Sequence, residues 1–343
     1  MIFAIAMLKI TFSLNLYNMK SVNWGIIGCG DVTEIKSGPA FNKIKHSKLV
    51  GVMRRNAEKA KDYAKRHSVP FWSNNADDLL NNEAINAIYI ATPPSSHLEF
   101  TLEAIKKNKN VYVEKPMTLN AHEANQICNA LKSSQSKLTV AHYRRQLPMF
   151  LKVKQLLDEG EIGAIRCVDI QLLQTVKTDM IADTEDHWRT NKSISGGGFF
   201  HDLAPHQLDL IYYFFGDFKN AYGFAVNQGK QYYADDVVNG IIILKNDIQC
   251  RGLWAFNVNS DSSNDELKIC GSLGEIKLSI FGNQIEIKKN GTVELLKFKH
   301  PENIQQPMIE ASVNYFLGKR DNPCAADEGL RVMKIIDAFT PQN

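Results

Sequence analysis

Apolar and polar positions follow two different rhythms along this chain. From residue 22 to about residue 141, short apolar runs are separated by segments whose apolar residues recur at helical spacing. The runs are VNWGIIG, KLVGVM, NAIYIA, NVYVEK and KLTVAH; EKAKDYAKRH, ADDLLNN, HLEFTLEAIKKN and AHEANQICNALKSS lie between them. Runs this continuously apolar are buried on both faces. The pattern therefore predicts a parallel sheet covered by helices, a doubly wound domain whose ligands meet the carboxyl ends of its strands.

After about residue 145 the rhythm changes. A helix over 148–159 leads into longer strand-like runs: IRCVDIQLLQTV, KNAYGFAV, VVNGIIILK, ELKICG, GEIKLSI and QIEIKK. Turns such as GSLGE and KKNGT predict antiparallel hairpins. One helix over 202–215 interrupts the strands, and two more, around 303–317 and 326–339, close the chain. The expected fold class is α/β: a doubly wound domain over 19–145, then an α+β domain over 146–343 with a large, mostly antiparallel open sheet.

A length of 343 residues suits two such cores, and 44% hydrophobic with 22% charged residues is an ordinary globular balance. The net charge of +3 offers no general attraction to nucleic acid or to a membrane surface. A small molecule and further copies of the chain are the expected partners. Six cysteines, at 29, 128, 167, 250, 270 and 324, show no C-x-x-C spacing and no zinc-like arrangement with histidine. No metal site is expected, and the thiols read as reduced and buried in a cytoplasmic protein. Residues 1–18, MIFAIAMLKITFSLNLYN, lack the basic start and cleavage site of a signal peptide and are too short to span a membrane. MKSVNWGIIGCG reads as a natural start at Met19, with 1–18 a non-native or disordered extension.

The first strand ends in Gly28-Cys29-Gly30-Asp31-Val32-Thr33. Two glycines let the backbone turn tightly and approach a pyrophosphate at the start of the next helix; the loop alone reads equally as a tight structural turn, and its place after the first strand of an alternating domain favours a dinucleotide-binding Rossmann domain. Thr33 stands at the third fingerprint position. The second strand runs into Arg54-Arg55-Asn56, with no acid to accept the ribose hydroxyls. Arginine there suits a 2′-phosphate, which favours NADP(H) over NAD(H).

NVYVEKP places Lys115 at the carboxyl end of a buried strand, partly desolvated and suited to proton transfer or to polarising a substrate oxygen. In GGGFFHDLAPHQLDL, Asp202 and His206 are four residues apart and share a helical face. Read alone, Asp202 is better taken as a helix cap and His206 as a packed histidine.

GIIGCGDV, VYVEKP and GGGFFHDLAPHQLDL, in this order and spacing, resemble the Gfo/Idh/MocA family of oxidoreductases, from about residue 22 onward. The ATPPSSH loop at 91–97, HYRRQLP, HWR at 187–189 and EGLRVMKIID extend the resemblance. It implies that Lys115 and His206 are the proton-transfer and substrate-orienting pair, with Asp202 holding the substrate. Gly28, Gly30, Asp31 and Val32 would cradle the dinucleotide beside Arg54 and Arg55. Pro93 and His97 would line its nicotinamide side, and Thr92, Glu114 and Lys115 would also contact the cofactor. Tyr143, Arg144, Trp188 and Arg189 would be cleft contacts, with junction packing as the alternative reading. Thr33 departs from the Gly or Ala usual in the family.

The expected activity is hydride transfer between a nicotinamide and a hydroxyl-bearing carbon of a sugar, polyol or related carbohydrate. Two alternatives remain: an NAD-dependent glycoside hydrolase using transient oxidation, and a non-enzymatic dinucleotide-binding sensor. The open sheet is expected to pair subunits in a dimer or tetramer.

Overall fold

A computed structural model describes residues 19–176 and 188–341. The expected extension over 1–18 lies outside the described residues.

Six strands build the first sheet: β1 (Val22–Ile27), β2 (Ser47–Met53), β3 (Phe71–Ser73), β4 (Ala87–Ile90), β5 (Asn110–Val113) and β6 (Leu138–Val140). They are ordered β3-β2-β1-β4-β5-β6, and all run parallel. The connections carry α1 (Asp31–Glu34), α2 (Ala57–Arg66), α3 (Ala76–Leu80), α4 (His97–Lys106) and α5 (Ala121–Lys132). Covered on both faces, the strands are apolar throughout their centres, and every residue of β4 is buried. Asparagines open three of the helices. The side chains of Asn56, Asn75 and Asn120 accept the N–H bonds of Lys59, Asp77 and Glu123, donors the first turn leaves without helical partners. Strand β3 is missing from the sequence reading because three residues carry no periodic signal.

Strand order reverses between β1 and β4, so the loops leaving these strands lie side by side. That crevice is where a doubly wound sheet binds its ligand.

Helix α6 (Pro148–Asp158) leads into β7 (Ile165–Leu173). Then come α7 (Lys192–Ser195), α8 (Gly198–Phe215), β8 (Phe218–Val226), β9 (Val237–Leu244), β10 (Gln249–Ala255), β11 (Asn264–Gly271), β12 (Gly274–Leu278), β13 (Gln284–Lys289) and β14 (Thr292–Lys297). The second sheet is ordered β14-β13-β12-β11-β7-β10-β9-β8. Strands β7 and β10 are parallel, and the other pairings are antiparallel. GSLGE turns β11 into β12 and KKNGT turns β13 into β14, as hairpins. Strands β10 and β14 escaped the sequence reading. Arg251 and Gly252 interrupt the apolar character of β10, and β14 is an edge strand with most of its side chains exposed.

The inner face of this sheet packs on α8 and α10 (Ala326–Phe339). Trp254 of β10 meets Phe200 edge-on at 5.3 Å and Phe339 at 5.9 Å, all three fully buried. Truncating either phenylalanine to alanine would cost about 3–5 kcal/mol. The outer face is divided. Ion pairs Arg251–Asp169, Lys268–Glu275 and Lys277–Glu266 cross its middle, while Tyr222, Phe224, Val226 and Ile241 expose apolar surface at the β8–β9 end.

Helix α9 (Gln306–Phe316) and α10 return to the first sheet. The Phe316 ring lies 5.6 Å from that of Trp24, and the Asp337 carboxylate accepts the Ala121 N–H at the start of α5. Buried Arg145 bonds Asp209 of α8 with two nitrogens and Glu328 of α10 with a third. One guanidinium thus joins the interdomain turn to two helices. Cys29, Cys250 and Cys324 are buried, but Cys167 is exposed because it points from β7 to the outer face, which corrects the expectation of uniformly buried thiols.

Candidate active site

The loop after β1 is shaped by Gly28 and Gly30 for different reasons. Gly28 has φ of +95°, and a Cβ there would stand 2.8 Å from the backbone nitrogen of Thr92, in the loop leaving β4. The two loops touch, and no side chain fits between them. Gly30 has an ordinary extended φ of −133°, and an added Cβ would find nothing nearer than 3.9 Å. Neither strain nor internal packing demands glycine at 30. The space beside it fits the close approach of a ligand such as a pyrophosphate.

Half-buried Val32 and exposed Asp31 follow. Helix α1 is a single turn, shorter than the helix expected to receive the pyrophosphate. Thr33 is fully buried and turned inward: its hydroxyl donates to the Gly30 carbonyl at 2.7 Å, and its own carbonyl accepts from Tyr63. The departure at the third fingerprint position therefore stitches the loop from its buried side. Arg54, at the end of β2, donates to the Cys29 carbonyl at 3.3 Å, which places its guanidinium at the mouth of the loop; Arg55 is exposed.

On the other side of the crevice, the Thr92 hydroxyl accepts a bond from Ser96, and Pro93 is half-buried. His97 does not face the crevice. It is fully buried, with Nε2 2.8 Å from the Thr92 carbonyl and Nδ1 2.9 Å from the Pro116 carbonyl. Burial favours its neutral form, outweighing the two carbonyls. The neutral ring donates to one of these carbonyls and packs between the β4 loop and the turn after β5, where the Lys115–Pro116 peptide bond is cis.

Glu114 is buried at the end of β5. Its Oε1 accepts from Tyr89 at 2.6 Å and from Gln305 at 2.7 Å, and Tyr112 donates to the Gln305 carbonyl oxygen at 3.1 Å. The residue stands on a buried floor of hydroxyl and amide groups whose last member comes from the far end of the chain.

Lys115 projects from that floor. Its Nζ lies 2.6 Å from Asp202 Oδ1 and 2.7 Å from the Asp202 backbone carbonyl. The other carboxylate oxygen of Asp202 takes Arg189 Nε at 3.0 Å, and Arg189 stacks on Trp188 at 4.4 Å. Burial works against the Asp202 charge, but Lys115 and Arg189 outweigh it and hold the carboxyl at about 2. Asp202 does not cap its helix: α8 begins at Gly198, so the carboxylate stands one turn in and is engaged by two cations instead.

One turn further along α8, His206 is buried with an unpartnered Nδ1. Its ring meets Tyr143 edge-on at 5.4 Å and Phe281 at 5.7 Å. Burial first, then Lys115, Arg144, His142 and Lys36, push its pKa well below the ordinary imidazole value, so the ring is neutral. Arg144 donates to the Ile280 carbonyl at 2.7 Å and lies over the Phe281 ring at 4.3 Å, a junction-packing role beside the site.

The structure thus brings Lys115, Asp202, Arg189, His206 and Tyr143 together. It keeps His97 and Arg144 behind them. Lys36, Phe281 and Gln305 are additions no motif announced. Among the described residues, no group of three or more His, Cys, Asp or Glu side chains could hold a metal ion, and no helix is long and apolar enough to cross a membrane.

Residues 22–142 match the family model for the oxidoreductase family with an NAD-binding Rossmann fold, and residues 150–277 match the Gfo/Idh/MocA C-terminal domain. An oxidoreductase from Formosa agariphila is 50% identical over 318 residues, covering 93% of this chain and 98% of its own. The NADP(+)-dependent scyllo-inositol 2-dehydrogenase of Bacillus subtilis is 27% identical over 197 residues, 57% of this chain and 52% of that one. Among solved structures, a levoglucosan dehydrogenase in complex with NADH and levoglucosan superposes with a TM-score of 0.83 at 19% identity, covering 93% of this chain and 96% of its own. A crevice built for a dinucleotide, and a lysine–aspartate pair facing a buried histidine beside it, go with these matches: the chain belongs to the Gfo/Idh/MocA family of oxidoreductases, as a dehydrogenase acting on CH–OH groups.

Proposed function

We propose that the protein transfers hydride between NADP(H) and a hydroxyl-bearing carbon of a sugar or polyol. The observation that carries this reading is the Lys115–Asp202 pair, 2.6 Å apart, on the same side of α8 as the unpartnered His206. The bound nicotinamide would supply the hydride acceptor or donor. The chain's own groups handle the oxygen and its proton.

Two of the three Lys115 N–H bonds go to Asp202, which leaves one for a substrate oxygen. The ammonium is thereby aimed, and it stabilises negative charge as an alkoxide develops there. Asp202, backed by Arg189, fixes the direction of the lysine and offers its carboxylate edge to a second hydroxyl. His206 is neutral at rest, as a base must be, and takes the hydroxyl proton in oxidation or returns it in reduction. The surrounding cations oppose the imidazolium, so a proton held there is readily passed on.

Arg54 at the mouth of the glycine loop, without an acid on β2 to repel a 2′-phosphate, supports NADP(H) over NAD(H). The Bacillus subtilis relative is named for NADP(+) and the levoglucosan dehydrogenase structure holds NADH, so relatives use both. Tyr222, Phe224, Val226 and Ile241 form the apolar area we assign to subunit pairing in a dimer or tetramer, and the unpaired core cysteines support a cytoplasmic setting.

Titration of purified protein with NADPH and NADH by nicotinamide fluorescence, followed by turnover on a panel of sugars and polyols, tests the proposal. Tighter NADPH binding with net turnover is expected. Retained NAD with no net turnover would turn the reading toward hydrolysis by transient oxidation, and absence of nicotinamide binding would remove it.

A further inference from the structure

The cysteines fall into two chemical groups. Cys29, Cys250 and Cys324 are buried in the cores, and burial pushes their thiols up, that of Cys29 to about 12. Thiols held so firmly protonated are poor nucleophiles. Cys128 stands half-buried on α5, its thiol also raised by burial.

Cys167 and Cys270 stand apart by position. They are directly opposed partners on the antiparallel strands β7 and β11. Both point to the outer face of the second sheet, away from α8, with Cys167 exposed and Cys270 half-buried. Burial first, and then the neighbouring Cys167, raise the Cys270 thiol. Opposed residues of an antiparallel pair have Cα atoms about 4.5–5.5 Å apart, inside the range of about 4.4–6.8 Å that a disulfide spans. Nothing in the nicotinamide reading uses this pair.

We propose that Cys167 and Cys270 are an oxidisable dithiol that closes to a cross-strand disulfide on reaction with hydrogen peroxide. Cys167, the more exposed, attacks one peroxide oxygen; the O–O bond breaks, a sulfenic acid forms, and the thiol proton leaves with the other oxygen as water. The Cys270 sulfur then displaces the sulfenyl hydroxyl, which departs as a second water carrying the Cys270 proton. Two thiols lose two electrons in all, and one peroxide is reduced to two waters. The product staples β7 to β11 in the middle of the eight-stranded sheet.

The test treats folded, full-length protein with hydrogen peroxide and reads the intact mass and a non-reducing peptide map. The expected result is the loss of two hydrogen masses, one linked pair of peptides containing Cys167 and Cys270, and reversal by dithiothreitol. Cys167→Ser and Cys270→Ser, read in parallel, should each abolish the link and leave sugar or polyol turnover unchanged. Two free thiols persisting at 167 and 270 in the folded protein would overturn the proposal. So would oxidation of Cys167 to sulfinic acid with Cys270 still free.

Discussion

Asp202 holds Lys115 twice, through carboxylate Oδ1 at 2.6 Å and through its own backbone carbonyl at 2.7 Å. A lysine at the end of β5 is thereby fixed to a helix that begins in the other domain. Asp202→Ala removes the carboxylate and leaves only the carbonyl. Turnover should fall on the order of 100-fold through misplacement of the ammonium, with nicotinamide binding little changed. Steady-state kinetics beside a fluorescence titration separates the two effects.

Lys115→Ala removes the group aimed at the substrate oxygen. We expect kcat to fall by roughly 100- to 10,000-fold while the protein still binds nicotinamide. Undiminished turnover would return Lys115 to a purely structural role.

Gly28 and Gly30 should respond differently to alanine. Gly28→Ala forces a Cβ to 2.8 Å from Thr92 at φ +95°, so the folded state should lose about 1–3 kcal/mol, seen as a lowered Tm. Gly30→Ala meets open space and should keep the wild-type Tm while weakening nicotinamide binding. Equal loss of Tm in both would contradict the open-space reading.

Arg54→Ala should weaken NADPH binding by about 10- to 100-fold, the scale of a charge-assisted hydrogen bond, and leave NADH nearly unaffected. An equal effect on both cofactors would mean that Arg54 serves the glycine loop instead of a 2′-phosphate.

Buried His201 is held neutral chiefly by burial, at about 4 against 6.5 for a free ring. Between those values the unfolded chain takes up a proton that the folded chain refuses. This contribution is complete above pH 6.5 and is lost as pH falls toward 4, amounting to about 3 kcal/mol. His142 and His206 are lowered in the same direction by burial. Tm measured from pH 7.5 down to pH 4 should therefore fall, and less steeply in His201→Gln. An unchanged slope in the variant would assign the acid sensitivity to other groups.

The fold was legible wherever burial imposes a period on the chain. Five runs of the first sheet read as strands because both their faces are covered, whereas β3 is too short and β14 too exposed to show a pattern. In the site, Lys115 could be picked out from its strand end, whereas Asp202 and His206 stood out only through the family resemblance, because their helical spacing alone reads as a cap and a packed histidine. Phe281 reaches His206 from the loop after β12, and Gln305 reaches Glu114 from just before α9. Such contacts are made through space by residues with no motif around them. Burial is equally invisible in a string of letters. It is what turned His97 from a crevice-lining residue into one sealed behind the crevice, and it is the first cause that holds His206 neutral.

Glu114 and Gln305 stand 191 residues apart in sequence and 2.7 Å apart in space. During synthesis the first sheet leaves the ribosome long before the amide that completes the floor beneath Lys115. The domain that carries the cofactor loop can thus collapse early while its reactive end stays unfinished. Competence for chemistry arrives only with the last helices, and a chain cut short ahead of Gln305 would be folded in part yet chemically silent.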